Sequence, residues 1–491
     1  MRILEALPSG VFGVEAYVVG GYVRDTLLAR QRSDIDIVVE ADAQAVAREV
    51  ASSLGGRYVP LDEENGIARV VLPSKQGYLD LSTMRGSIED DLAKRDFTIN
   101  AIAVSIEGEP RVIDPFGGRH DLKDGVVRVI AEGAFRDDPG RLLRAVRIAA
   151  EYDFAIEPET EVLIARHSHL VKGVAAERVH EELCRILEAP KAHRSLHQLD
   201  RLGLLEAIIP EVALMKGVEQ PKEHFWDVFE HSIQTVGALE MLLRVGGIPG
   251  AEEILTSSIW SSELCQHFDQ EFTSGHARRA LLKLAALLHD IAKPGTKSID
   301  ENGRMRFLGH ASEGARMAGE IMERLRFSSK EVKMVQRIIE HHLRPTQMSN
   351  GGLPSSRAIY RYFRDTGDEG IDTIFLSLAD HLATRGPALD INEWQKHVQM
   401  MEYVLEEHSK ESVVRPPKLV DGHDLINIFG MSPGPQIGVL LEEVRQAQAA
   451  GEIKTREEAL SFVEKRALSS LSRRTALRMV GVGTLAALAI T

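Results

Sequence analysis

"VVGGYVRDTLLARQRSDIDIVVE", residues 18–40, joins two β-branched runs through a glycine pair and a helix-like segment. In the second run Asp34 and Asp36 alternate with Ile35 and Ile37. Strand side chains alternate faces, so both carboxylates point one way while both isoleucines face the core. Two carboxylates that close repel and raise each other's pKa. A divalent cation removes the conflict, and magnesium takes one or two carboxylates together with substrate phosphates. Gly20 and Gly21 end the first strand and permit close backbone approach to a ligand. A helix starting near Tyr22 turns its positive end toward that ligand, and Arg24 adds a fixed cation. A lone D-x-D also suits a surface turn or a sugar-nucleotide site. The glycine pair and Arg24 upstream favour a metal-bound triphosphate.

Working outward, 491 residues are enough for about three domains. The composition is that of an ordinary globular protein. With a net charge of −14, no global basic field draws in nucleic acid, and any RNA contact must come from local patches. Cys184 and Cys265 lie far apart in helical-looking runs, which predicts buried or free thiols rather than a disulfide or a zinc site. The N-terminus has no signal-peptide apolar core, so a cytoplasmic location is expected. Residues 16–130 carry short strand-like runs interrupted by helical ones. "AYVVGG", "DIDIVVE", "RYVPLD", "IARVVLP", "YLDLSTM", "AIAVSI" and "RVIDP" are the expected strands. From about residue 134 the periodicity becomes helical. The C-terminal stretch "SLSRRTALRMVGVGTLAALAIT" looks like a twin-arginine export signal at the wrong end. Its 13-residue apolar run after Arg478 is too short to span a bilayer. It is expected to be a disordered appendage, and no membrane partner is expected.

Three further motifs follow in order: "DDLAKRDFTINAIAV" (90–104), "DPFGGRHDL" (114–122) and "DDPGRLLRAVRIAAEYDF" (137–154). With the opening stretch, they resemble the class II tRNA nucleotidyltransferase and poly(A) polymerase family over about residues 16–215. The resemblance implies template-independent addition of nucleotides to an RNA 3′ end by two-metal catalysis. Asp34 and Asp36 would hold magnesium, Gly21 and Arg24 would contact the triphosphate, Arg95 the nucleotide and Asp96 the ribose. Lys94 stands where the family usually has arginine, which keeps the charge. Asp80 in "YLDLS" reads equally as a third acidic group or as a strand carboxylate in an ordinary hydrogen bond. Two cations would activate the attacking 3′-hydroxyl and stabilise the leaving pyrophosphate, so no protein nucleophile is required.

Arg141, Arg144 and Arg147 recur at three-residue spacing on one side of a predicted helix, opposite Leu142, Val146 and Ala149. Spacing alone would suggest a solvated basic face. Asp138, one turn before Arg141, adds an acceptor to the guanidinium fork. Cytosine and adenine each present an amine donor beside a ring-nitrogen acceptor, whereas guanine and uracil present the reverse. An Asp–Arg pair therefore suits C and A. The family's E-D-x-x-R pattern is similar, with Asp137 here in place of Glu. The resemblance extends nucleotide contacts to Arg144 and Arg147.

Downstream, His231, His289-Asp290, His310, His341-His342 and Asp380 run in the order H…HD…H…HH…D over about residues 225–385. This order resembles the HD metal-dependent phosphohydrolase superfamily. Adjacent His and Asp offer a divalent transition metal two ligands of different hardness.

The expected fold class is α+β, with a small mixed-sheet head followed by an all-helical neck, HD body and tail. The expected boundaries are 1–133 for the nucleotidyltransferase head and 134–222 for the base-reading, RNA-binding neck. The HD domain takes 223–385, the tail 386–466 and the appendage 467–491. Arg178 and Arg185 on the neck are candidates to track RNA phosphates. The expected partners are tRNA, CTP and ATP. A poly(A) polymerase, an HD phosphohydrolase with a degenerate head, and a pure RNA-binding factor are the alternatives. Between "YLDLSTMRG" and "KRDFTINA" only "SIEDDLA" intervenes. CCA-adding members of the family usually carry a longer flexible loop there, and members without it resemble CC-adding enzymes. A short link has little slack to re-aim one Asp–Arg pair from a pyrimidine to a purine.

Overall fold

Seven strands form one mixed sheet in the order β3-β4-β5-β2-β1-β6-β7. They are β1 (Ala16–Val19), β2 (Asp34–Val39), β3 (Arg57–Asp62), β4 (Ile67–Val71), β5 (Tyr78–Thr83), β6 (Ala103–Ser105) and β7 (Val112–Ile113). Each coincides with one of the seven runs read as strands. The computed structural model describes residues 12–30, 34–73, 77–106, 111–243, 260–272, 275–348, 352–410 and 417–466. The C-terminal appendage, 467–491, lies outside the described residues.

β2 sits mid-sheet, antiparallel to β1 and parallel to β5. Along it, Ile35 and Ile37 are buried, Asp36 is exposed and Asp34 half-buried, so the alternation follows the sequence pattern. The register sets Asp36 between Val19 of β1 and Asp80 of β5. Tyr17, Val19, Val38, Ala101 and Ala103 pack into one core with Ile88 and Leu92. Helix α1 (Gly21–Leu27) follows β1 at once, with Gly20 as its N-cap. Helix α2 (Ala43–Leu54) opens where the Asp42 side chain accepts from the Gln44 amide and stops at left-handed Gly55.

The "SIEDDLA" link is helical at its centre. Helix α3 (Ile88–Leu92) is closed by a capping box between Ser87 and Asp90. Beyond it lie helix α4 (Gly140–Tyr152), which carries the arginine series, and helix α5 (Ala176–Glu188). The HD stretch supplies α6 (Val228–Leu242), α7 (Arg278–Leu288), α8 (His310–Arg324), α9 (Ser329–His341) and α10 (Glu369–Arg385). The tail has its own core of Val420, Leu425, Val444, Ala447, Ile453, Ala459 and Val463. Two small strand pairs interrupt the helical part, contrary to the all-helical expectation. β8 (Val126–Val127) pairs with β9 (Ala155–Ile156), and β10 (Lys297–Ile299) with β11 (Met305–Phe307). Runs of two or three residues are too short to carry a period.

The chain divides into two compact units. One extends to Leu214 and takes in Glu271–Ala280 and Ile321–Ser328; the other comprises Met215–Gln270, Leu281–Glu320 and Ser329 onward. The expected head and the expected neck as far as Leu214 fall in one unit, together with two segments of the expected HD stretch. No helix among the described residues is long and apolar enough to cross a membrane.

Candidate active sites

The strand–glycine–helix turn brings the first site together. Gly20 holds φ 71° and ψ −139°, a combination that β-carbon sterics deny other residues. A Cβ there would stand 2.9 Å from Arg95 Nη1 and 3.3 Å from Asp36 Oδ2. Gly20 therefore lets the Arg95 guanidinium and the Asp36 carboxylate close over the turn. Arg95 is steadied by Asp91 at 3.1 Å. The Tyr78 hydroxyl bonds Asp34, and this bond with burial raises the phenol's pKa; burial is the larger cause. Asp80, the register partner of Asp36, is gripped by Arg69 through two bonds of 2.7 and 2.8 Å. That bidentate pair satisfies both Asp80 oxygens within the sheet.

Arg24 is buried in a network of its own. Its guanidinium meets both oxygens of Asp25 at 3.0 and 3.2 Å, Asn100 Oδ1 at 2.7 Å and the Tyr152 hydroxyl at 2.6 Å. This side chain, expected at the triphosphate, ties α1 to the "DFTINA" segment and to the end of α4. Gly21 is the first helical residue.

Asp96 is buried and accepts from the Phe97 amide, from Asn100 and, at 3.2 Å, from Arg144 Nη1. Arg144 and Arg147 do not form a solvated face. Glu182 on α5 accepts from both, at 3.3 Å for Arg144 and at closer range for Arg147, and Glu151 takes Arg147 at 2.8 Å. Burial disfavours charge on both guanidiniums, but the carboxylates outweigh it and raise both pKa values. Glu182 is the residue that sequence reasoning missed. It lies in "VHEELCRIL" with no motif to mark it.

Arg141 donates to the carbonyl of Lys94 at 2.9 Å, beside Arg95. Its Nε stands 3.9 Å from Asp138 Oδ2, adjacent but beyond hydrogen-bond reach. Asp138 instead receives Arg178 at 2.8 Å and the Gly140 amide at 3.1 Å. Burial works to raise the Asp138 pKa, yet Arg178 and the amide hold it below the usual carboxylate value. Arg185 pairs with Glu151 at 2.8 Å.

The second site gathers six side chains. His231 comes from α6, His289 and Asp290 follow α7, His310 opens α8, His342 follows α9 and Asp380 lies on α10. They form two sets of mutually close ligand atoms, His231–His289–Asp380 and Asp290–His310–His342. Asp290 links the sets, 3.2 Å from His289 and 3.5 Å from His310. Backbone carbonyls of Ala286, Phe307 and Ile339 take Nδ1 of His289, His310 and His342, at 2.8, 2.7 and 2.6 Å. That fixes Nε2 as the free face of each ring. Burial lowers the pKa of His342 to about 4, keeping it neutral. Burial opposes the Asp290 charge, but His289 and Lys293 pull its pKa well down. His289 Nε2 and Asp290 Oδ1 are buried without a hydrogen bond, while Lys293 Nζ stands 2.6 Å from Asp290 Oδ2. Imidazole nitrogens set around a buried carboxylate fit a divalent cation. His341 stays outside both sets and faces Glu340, Arg344 and Asp365. Successive helical residues point about 100° apart, so one member of His341-His342 turns inward and the other cannot.

A "Poly A polymerase head domain" model matches residues 16–88 and 85–128, and an "HD domain" model matches 228–385. A tRNA nucleotidyltransferase domain 2 model matches 310–463. The A-adding tRNA nucleotidyltransferase of Deinococcus radiodurans is 35% identical over 93% of this chain and 97% of its own length. The chain belongs to the tRNA nucleotidyltransferase family. The CC-adding tRNA nucleotidyltransferase of Thermus thermophilus is 32% identical over 91% of this chain and 93% of its own. The Thermotoga maritima CCA-adding enzyme complexed with tRNA superposes with TM-score 0.62 at 25% identity, covering 96% of this chain and 94% of that one.

Proposed function

We propose that this protein adds C and/or A to the 3′ ends of tRNA in the cytoplasm, using CTP and ATP, and that its own product stops at CC. The carrying observation is the shared face of Asp34 and Asp36 beside Gly20 and Arg95, in a chain that matches tRNA nucleotidyltransferases along nearly their whole length. Asp34 and Asp36 offer oxygen donors of the kind magnesium takes. When bound there, magnesium supplies the charge that activates the 3′-hydroxyl and stabilises departing pyrophosphate. Arg95 lies across the turn from Asp36, placed for the nucleotide, and the Gly21 backbone for the triphosphate. Arg24 acts through its network by fixing α1. Asp96 orders Asn100 and Arg144 beneath the nucleotide. Asp138 accepts the amine of C or A while Arg141 donates to the ring nitrogen, with Arg144 and Arg147 set by Glu182.

The CC stop rests on the capped, helical "SIEDDLA" link. The A-adding relative favours the other half-reaction. Incubating the purified chain with tRNA lacking its end and with tRNA ending in CC, and offering CTP and ATP singly and together, separates the two. Products ending in CC are expected. Efficient full CCA, or A added only to a CC end, overturns the CC reading. No incorporation of either nucleotide overturns the transferase reading.

For the second site, His231, His289, Asp290, His310, His342 and Asp380 would hold a divalent transition metal for hydrolysis of a phosphoester.

A further inference from the structure

Away from both sites, the first compact unit gathers a third set of metal-capable side chains. His180 and Cys184 sit one turn apart on α5, and His276 comes from the Glu271–Ala280 segment. One ligand atom from each lies within 4.8 Å of the other two. Cys184 is fully buried and His276 nearly so. The His180 ring stacks on Phe327 at 3.9 Å and stands 5.5 Å from the His276 ring. Glu188 contacts His276 Nδ1 at 3.2 Å and accepts the Ala277 amide at 3.1 Å. The Glu181 carboxylate stands 3.2 Å from His276 Nε2.

We propose that His180, Cys184 and His276 form a structural site for a zinc-type divalent cation, with Glu181 as the fourth ligand. A thiolate and two imidazoles are the donors that zinc prefers over magnesium or calcium. Bonds of about 2.0–2.3 Å place tetrahedral ligands about 3.3–3.8 Å apart, close to the spacing of the three atoms, and Glu181 adjoins them at His276 Nε2. Glu188 on Nδ1 supplies the carboxylate that orients a ligating histidine, leaving Nε2 and Glu181 on the same side. Binding deprotonates the Cys184 thiol and releases that proton to solvent. The ion would clamp the Glu271–Ala280 segment onto α5, the helix that carries Glu182 and Arg178. Spacing hid the site, because 92 positions separate His276 from Cys184.

Cobalt titration tests the proposal without disturbing Cys184. The full chain has two cysteines, so in Cys265→Ser any sulfur–cobalt charge-transfer band belongs to Cys184. Co2+ added beyond the capacity of the HD ligands should produce that near-ultraviolet band, with d–d intensities of tetrahedral strength, and Zn2+ should abolish it. The HD ligands contain no sulfur, so they cannot give the band. His180→Gln and His276→Gln should each weaken cobalt affinity at this site at least tenfold, with the far-ultraviolet circular dichroism unchanged. No band at saturating Co2+ overturns the site. A band unaltered in both histidine variants overturns the ligand set.

Discussion

Gly20 concentrates the first site's geometry in one missing methyl group. Its φ of 71° and the 2.9 Å approach of Arg95 to an added Cβ make Gly20→Ala costly. Backbone strain alone amounts to about 1–3 kcal/mol, and relief requires Arg95 or Asp36 to shift. We expect a melting temperature lowered by several degrees but a fall in kcat/KM well beyond that loss. Equal activity at reduced stability would free Gly20 of any role at the site. Asp34→Ala and Asp36→Ala should each abolish incorporation of labelled CTP while circular dichroism stays native. At Asp138 the ion pair with Arg178 depresses the carboxyl pKa below the unfolded value of about 3.9. The stabilisation is therefore full above that value and is lost only as pH falls through the lower folded pKa. Discrimination against UTP and GTP should stay flat from pH 8 to about 5; a break near pH 6 would point to another reader. Asp138→Ala should cost about 1–3 kcal/mol of discrimination, measured as the ratio of kcat/KM for CTP over UTP.

At the scale of elements, α4 and α5 act through one carboxylate. Glu182 is buried and neutralises both Arg144 and Arg147. Asp96 and Glu151 still hold the two arginines when Glu182 is removed, so the loss is that of charged hydrogen bonds, about 1.5–3 kcal/mol. Glu182→Ala should show that loss in urea unfolding and also loosen α4 from α5, raising KM for the nucleotide. A stability loss with unchanged KM would make Glu182 purely structural. A capping box holds α3 within the link after β5. Ser87→Ala removes half of its capping box, about 1 kcal/mol of local stability, visible as faster amide exchange at residues 88–92.

Across the whole molecule, the two sites lie in separate compact units and share no side chain. Asp290→Ala should lose bound transition metal and phosphoester hydrolysis, while nucleotide addition to tRNA stays within about twofold of wild type, the size of ordinary surface effects. Joint loss of both activities would indicate a composite site. The second unit also hides a fully buried Lys283–Glu240 pair at 3.0 Å. Glu240→Ala should destabilise it by about 3–5 kcal/mol, read from its own unfolding transition.

All seven strands of the sheet, the shared face of Asp34 and Asp36, and the order of the HD ligands were legible in the chain alone. Each depends on local periodicity or on short motifs, and a two-residue repeat needs only its neighbours to be recognised. The partners of those residues were not legible. The chain offers Arg24 to a phosphate but is silent on Asp25, Asn100 and Tyr152, which the fold sets around it. It offers Arg144 and Arg147 as nucleotide contacts but is silent on Glu182 of α5, which packs against both, and it offers His341 and His342 alike, of which His342 joins a ligand set. Charge neutralisation and ligand convergence are set by side chains tens to hundreds of positions apart. Only tertiary packing chooses which of several local possibilities finds its opposite charge.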